Sequence, residues 1–251
     1  MLTANELKRY QRQLKIFGKE GQEKLKAAKV FIGGLGGLGS AASIYLASAG
    51  IGQIRIVDKD YIDLSNLNRQ ILYRNDDVGK VKAEQAKAEL EKINPNVNVE
   101  AIPKMLNDNN VCELIGDCNI IVDAMDNFRA RHLLNKAALL KKIPLVHGAV
   151  NGFYGQVTTI VPGKTACLKC IFPQSPPNLI WPVISVTCGI VGCIQATEVI
   201  KYIIGMGNLL ENKLLMLDGL SMSIEEITIK RNPLCKECSC VEGEFVEGKS
   251  V

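Results

Sequence analysis

The segment KVFIGG runs into Gly34-x-Gly36-x-x-Gly39 and then into SAASIYLASAG, and this sequence leaves the chain little freedom in how its fold begins. The apolar run before the glycines reads as a buried strand, and the small-residue run after them as a helix. Glycines between the two permit a tight turn and a close backbone approach. The helix start then offers unpaired N–H groups and a partial positive charge to a phosphate. QIRIVD, residues 53–58, supplies a second strand, which makes a parallel β-loop-α-β unit.

The alternation continues. A helix is predicted over 81–92, then strand NVNVEAI, a helix near 110–116, strand NIIVDAMD, a helix over 128–141 and strand PLVHGAV. That order predicts an α/β fold, a Rossmann-like doubly wound sheet with a parallel first half. After Gly152 the texture changes. FYGQVTTIVPG reads as a hairpin-like strand pair; the proline-rich FPQSPPNLIWP, an apolar helix over 186–204 and two strands, LLMLDG and SIEEITIK, follow. The second half is thus expected to continue in antiparallel strands. At the N-terminus Leu7, Tyr10, Leu14 and Phe17 recur at helical spacing, so residues 3–17 are predicted as a helix with Gly18 as its stop. One continuous domain over 1–251 is expected. Its nucleotide-binding half covers about 1–150, its substrate-facing half about 151–240, and a frayed tail 241–251.

Composition excludes some classes. The 30 Lys and Arg are interleaved with 26 Asp and Glu for a net charge of +4, so nucleic-acid binding is not implied. There is no 18-residue apolar run, and the opening MLTANELKRYQRQ is polar, so neither a signal peptide nor a membrane span is expected. Nine cysteines point to reduced thiols and metal ligation, and to the cytoplasm. Two Cys-x-x-Cys pairs, Cys167–Cys170 and Cys235–Cys238, can supply four thiolates to a closed tetrahedral zinc site.

Charged residues sort onto the crevice side. Asp58 ends the second strand, where a carboxylate can grip ribose hydroxyls. Asp60, Asp63, Asn66, Arg69 and Lys82 crowd the loop beyond it, and Arg and Lys there suit a polyphosphate better than a nicotinamide. Asp123 lies inside the fourth strand, as a core acid or a crevice one. Asp126 stands just beyond it, followed by Asn127. Asp126 can hold magnesium on phosphates or cap the helix that starts at Phe128, and magnesium is the favoured role. His132, in a helix, and His147, at a strand end, read as structural.

The motifs then fall into a familiar order: Arg9-Tyr10-x-Arg12-Gln13, GLGGLG, Asp58-x-Asp60, Ser65-Asn66-Leu67-x-Arg69-Gln70, Val78-Gly79-x-x-Lys82, Asp126-Asn127 with Arg131, Gly152-x-x-Gly155-Gln156, and the two Cys pairs. Over residues 5 to about 240 the chain resembles the MoeB/ThiF/HesA adenylyltransferases, prokaryotic relatives of ubiquitin-activating enzymes. The resemblance implies that ATP and magnesium activate the C-terminal glycine carboxylate of a small ubiquitin-like sulfur carrier (ThiS/MoaD-like, ending in Gly-Gly) to an acyl-adenylate, with release of pyrophosphate. It implies that Gly37, with Gly34, Gly36 and Gly39, meets the phosphates and that Asp58 holds the ribose. Asn66 and Arg69 would bind phosphate oxygens, Lys82 neutralise charge and Asp126 bind magnesium, with Asp60, Ser65, Gln70 and Asn127 beside them. Arg12 resembles an arginine, on the N-terminal helix, that reaches into a partner subunit's site in a homodimer. Cys167, Cys170, Cys235 and Cys238 match structural zinc ligands. No general base is needed, since the attacking carboxylate is already ionised.

The chain departs from these relatives at one point. Many carry a cysteine in the loop after the first Cys pair; here Asn178 occupies that position, and Cys188 lies about ten residues on, in the predicted helix. Adenylation is expected to survive without that thiol, with sulfur transfer left to a separate donor protein. The alternatives are a non-catalytic carrier-binding subunit and an NAD-dependent oxidoreductase; Arg69 and Asp126 argue against the first and SNLNRQ against the second.

Overall fold

A computed structural model describes residues 1–174 and 181–239. The predicted tail, Cys240 and Asn178 lie outside these residues. The parallel half is built from β1 (Lys29–Gly33), β2 (Gln53–Val57), β3 (Asn98–Ile102), β4 (Ile120–Asp123) and β5 (Leu145–Asn151). Three antiparallel strands extend it: β6 (Tyr154–Ile160), β7 (Lys213–Asp218) and β8 (Ser223–Thr228). All eight form one sheet in the order β3-β2-β1-β4-β5-β6-β7-β8. The order reverses between β1 and β4, and such a reversal opens a crevice at the strands' carboxyl ends.

The helices are α1 (Ala4–Arg9), α2 (Leu14–Ala27), α3 (Gly37–Ala49), α4 (Lys82–Ile93), α5 (Val111–Ile115), α6 (Phe128–Lys141), α7 (Leu168–Ile171) and α8 (Ser185–Ile204). The apolar faces of α3 and α8 are covered by each other and by the sheet. Gly192 of α8 has no room for a side chain: a Cβ there would lie 2.8 Å from the Ala41 Cβ and 2.7 Å from the Leu38 carbonyl. α8 is long and apolar enough to cross a membrane by length and composition. Here it lies on the sheet, where buried Gln195 donates to the carbonyls of Asp123 (2.8 Å) and Val146 (3.1 Å).

Two expectations are corrected. The N-terminal helix is not continuous over 3–17: α1 ends at Arg9, a turn follows, and α2 runs on past Gly18 to Ala27. Gly18 (φ 69°) kinks α2 instead of stopping it, because Gly21, Gln22 and Leu25 beyond it are buried. FYGQVTTIVPG is not a strand pair either. It supplies the single strand β6, whose hairpin partner is β5, with Asn151 opposite Tyr154 and Gly152 at φ 58° in the connecting turn.

Candidate active site

A cleft of about 900 Å³ opens at the reversal point. Its floor begins with the glycine loop. Gly34 has φ 91°, and a Cβ there would lie 2.7 Å from the Ala124 carbonyl, so backbone comes close to backbone. Gly39 does not reach the cleft; a Cβ on it would meet the Gly34 carbonyl at 2.0 Å, so it lets α3 seat on the loop. Gly36 and Gly37 line the cleft at the start of α3.

Asp58 follows β2. Its two oxygens accept the Leu35 N–H (2.8 Å) and the Asp60 N–H (2.9 Å), which fixes the carboxylate and leaves each oxygen a further lone pair. Burial raises its pKa, against the pull of those two N–H groups and of Lys82. Lys82, at the start of α4, is 6% exposed, with its ammonium 3.5 Å from Asp60. Asp60 thus acts on the site through Lys82.

The SNLNRQ segment splits. Asp63 caps the 3-10 turn Leu64–Asn66, accepting from the Ser65 hydroxyl at 2.6 Å, and Ser65 stays off the cleft. Asn66, Arg69 and Gln70 line it. Arg69 Nη1 is steadied by the Ser65 carbonyl at 2.9 Å. Gln70 is 3% exposed, and its carbonyl oxygen has no partner.

On the opposite wall Asn127 caps α6, accepting the Ala130 N–H at 2.9 Å. That frees Asp126, which is exposed at the rim and, among the described residues, accepts only from the Asn127 amide (3.1 Å). The competition between capping and a free carboxylate is settled by the division of labour between these neighbours. Asp123 is a satisfied core acid, 2.7 Å from His147. His147 lies within β5, not at its end.

Some cleft residues were in motifs yet carried no site assignment from sequence. Arg131, 8% exposed, donates to the Met125 carbonyl at 2.9 Å and lies over the Phe128 ring at 5.1 Å. Gln156, Tyr154 and Met216 line the antiparallel side. Tyr154 and Gln156 stand two positions apart on β6, which puts them on one face of the sheet. Cys188 is buried in α8, yet its sulfur borders the cleft under Gly37. Burial pushes its thiol up to about 11, with Arg69 pulling the other way. Arg12 lies in the turn between α1 and α2, exposed and away from this cleft.

The four cysteines of the two pairs meet, with all sulfurs within 4.8 Å of one another. Sulfur–sulfur separations of 3.8 Å (Cys167–Cys170), 3.7 Å (Cys167–Cys235) and 3.5 Å (Cys170–Cys238) suit the edges of a tetrahedron. Zinc–sulfur bonds of about 2.3 Å require edges near 3.8 Å. The donor set therefore fits a zinc ion.

The sequence pattern of the ThiF family matches residues 10–237. The chain belongs to that family. The SAMP-activating enzyme E1 of Haloferax volcanii is 41% identical over 245 residues, covering 94% of this chain and 90% of that protein. The sulfur carrier protein adenylyltransferase of Thermus thermophilus is 41% identical over 249 residues, covering 94% and 92%. Among solved structures, E. coli MccB with ATP superposes with a TM-score of 0.84 at 29% identity, over 94% of this chain and 75% of that one. With these family members the chain is a nucleotidyltransferase.

Proposed function

We propose that this enzyme uses ATP and magnesium to adenylate the C-terminal glycine of a small ubiquitin-like sulfur carrier ending in Gly-Gly. The observation that carries the reading is the convergence of Gly34, Gly36, Gly37, Asp58, Asn66, Arg69, Lys82 and Asp126 on one cleft. Attack of a carboxylate on the α-phosphorus brings two anions together. Catalysis is then mostly alignment and charge dispersal. Asp58 would hold the ribose, the glycine loop and the first turn of α3 the phosphates, and Arg69, Asn66 and Lys82 the charge that builds during attack. Magnesium held by Asp126 would neutralise the pyrophosphate as it leaves. Residues 151–239 form the carrier-facing half, stapled by a structural zinc on Cys167, Cys170, Cys235 and Cys238.

The carrier assignment draws support from the Haloferax and Thermus relatives, whose names describe SAMP activation and sulfur-carrier adenylation. We place the reaction in the cytoplasm, where four zinc-binding thiolates stay reduced. Arg12, outside its own cleft, would act in the cleft of a second subunit of a homodimer. A separate protein would donate sulfur, since burial keeps the Cys188 thiol protonated.

The test is carrier-dependent ATP–pyrophosphate exchange. Asp126→Ala should lose about 3 kcal/mol of transition-state stabilisation, over a hundredfold in rate, with the fold intact. Near-normal exchange in that variant would remove Asp126 from the mechanism. Wild-type protein that binds ATP and carrier yet exchanges with none would be a non-catalytic carrier-binding subunit.

A further inference from the structure

A hydrogen-bonded chain runs beneath the cleft, and none of the roles above uses it. His147 is fully buried in β5. Its Nδ1 lies 2.7 Å from Asp123 Oδ2, and its Nε2 lies 3.4 Å from Gln156 Nε2. A carboxylate only accepts, so Nδ1 carries the ring proton and donates it to Asp123. Burial, with the Arg131 charge beside it, pushes the imidazole pKa down against Asp123 and keeps the ring neutral. Nε2 is then a bare acceptor, and the Gln156 amide donates to it.

This arrangement fixes which way the Gln156 amide faces. Its NH2 group turns to His147, so its carbonyl oxygen turns away. Gln156 lines the cleft, with Ala149 and Met216 as its register neighbours on β5 and β7. No described residue donates to that oxygen. The other oxygen of Asp123 accepts the Met125 N–H at 3.1 Å, in the turn that presents Asp126. One buried carboxylate therefore braces both walls of the cleft.

We propose that Asp123 and His147 are positioning residues that aim the Gln156 carbonyl oxygen into the cleft, where it accepts a backbone N–H from the extended C-terminal tail of the carrier. The proposal rests on the adenylation reading. Gln156 stands on β6, beyond β4 and β5 from the glycine loop, so a nucleotide on that loop leaves this side to the second substrate. A tail ending in Gly-Gly has no side chains to grip. Besides its carboxylate, its amide groups are its only polar handles, and an acceptor already turned by a neighbour binds one at low entropic cost.

The measurement is pyrophosphate exchange with varied carrier and varied ATP, together with the 15N signals of His147. Gln156→Leu should raise the carrier KM about tenfold, the effect of one hydrogen bond. Its ATP KM and thermal midpoint should stay at wild-type values, which a general packing defect would not allow. His147→Gln has an amide that can both donate to Asp123 and accept from Gln156, and it should keep most of the carrier affinity. His147 in wild type should be the neutral Nδ1–H tautomer. An Nε2–H tautomer, or an unchanged carrier KM in Gln156→Leu beside an active wild type, overturns this inference alone. A wild type that exchanges with no carrier sinks the adenylation reading, and this ligand with it.

Discussion

Gly37 shows how tightly single positions are set at this site. A Cβ there would lie 2.5 Å from the Cys188 sulfur and 2.9 Å from its Cβ. Gly37→Ala should therefore push the start of α3 away from α8 and weaken ATP binding by about 1–3 kcal/mol, the usual range for overpacking. Adding Cys188→Ala removes the sulfur and should recover part of the loss, as read by ATP titration of both variants. Recovery would show that the loss is steric. Equal binding by wild type and Gly37→Ala would mean that the loop moves freely. The glycine spacing, Asp58 and Asp126 were legible in sequence because their positions follow from where strands end. The Asp123–His147 pair was not, because it joins neighbouring strands 24 positions apart and depends on their register. Ser65 shares its motif with Asn66, Arg69 and Gln70, which line the cleft, but its hydroxyl is spent on Asp63, a local bond that the motif alone does not reveal.

At the scale of elements, α6 spans the predicted residues 128–141, since Asn127 supplies a start signal that sequence carries openly. The misread hairpin has a different origin. Gly155 lies inside β6 and makes room for α8: a Cβ there would lie 2.4 Å from Val191 Cγ2. No local pattern announces a glycine used by a helix 36 positions away. The cysteine segments are drawn together through α6 as well. Asn135 accepts the Leu168 N–H at 2.9 Å and donates to Glu237 at 2.8 Å. Zinc would close a staple already aligned by these bonds. We expect about one zinc per chain by elemental analysis of purified protein. Cys167→Ser should lower the melting temperature while folded variant still binds ATP. Well-folded protein without metal would overturn the zinc assignment.

For the whole molecule, the reversal between β1 and β4 opens the cleft with the glycine loop, Arg69 and Lys82 on one side and Tyr154, Gln156 and Met216 of the antiparallel strands on the other. The N-terminal turn stays outside this plan. Tyr10 is buried and accepts from Asn94 at 2.8 Å, while Gln13 bonds the Ala49 carbonyl at 2.8 Å, so Arg12 between them is held facing outward. If it completes a neighbouring subunit's site, mixing inactive Arg12→Ala with inactive Asp126→Ala chains should restore exchange, because some mixed dimers regain one intact site. No recovery despite proven subunit exchange would place Arg12 outside catalysis in a partner. The far margin of the sheet carries a different consequence. All six side chains of β8 are exposed, and no strand pairs with its outer side among the described residues. Alternation puts Glu225 and Ile227 on one face, Ile224 and Glu226 on the other, so each exposed isoleucine has an acid for company. Such charges keep an open strand from recruiting copies of itself into a growing fibre. Replacing both glutamates by valine should leave the monomer's fold unchanged and make it assemble in a concentration-dependent way, visible by light scattering; a variant as inert as the parent would mean that the acids guard nothing.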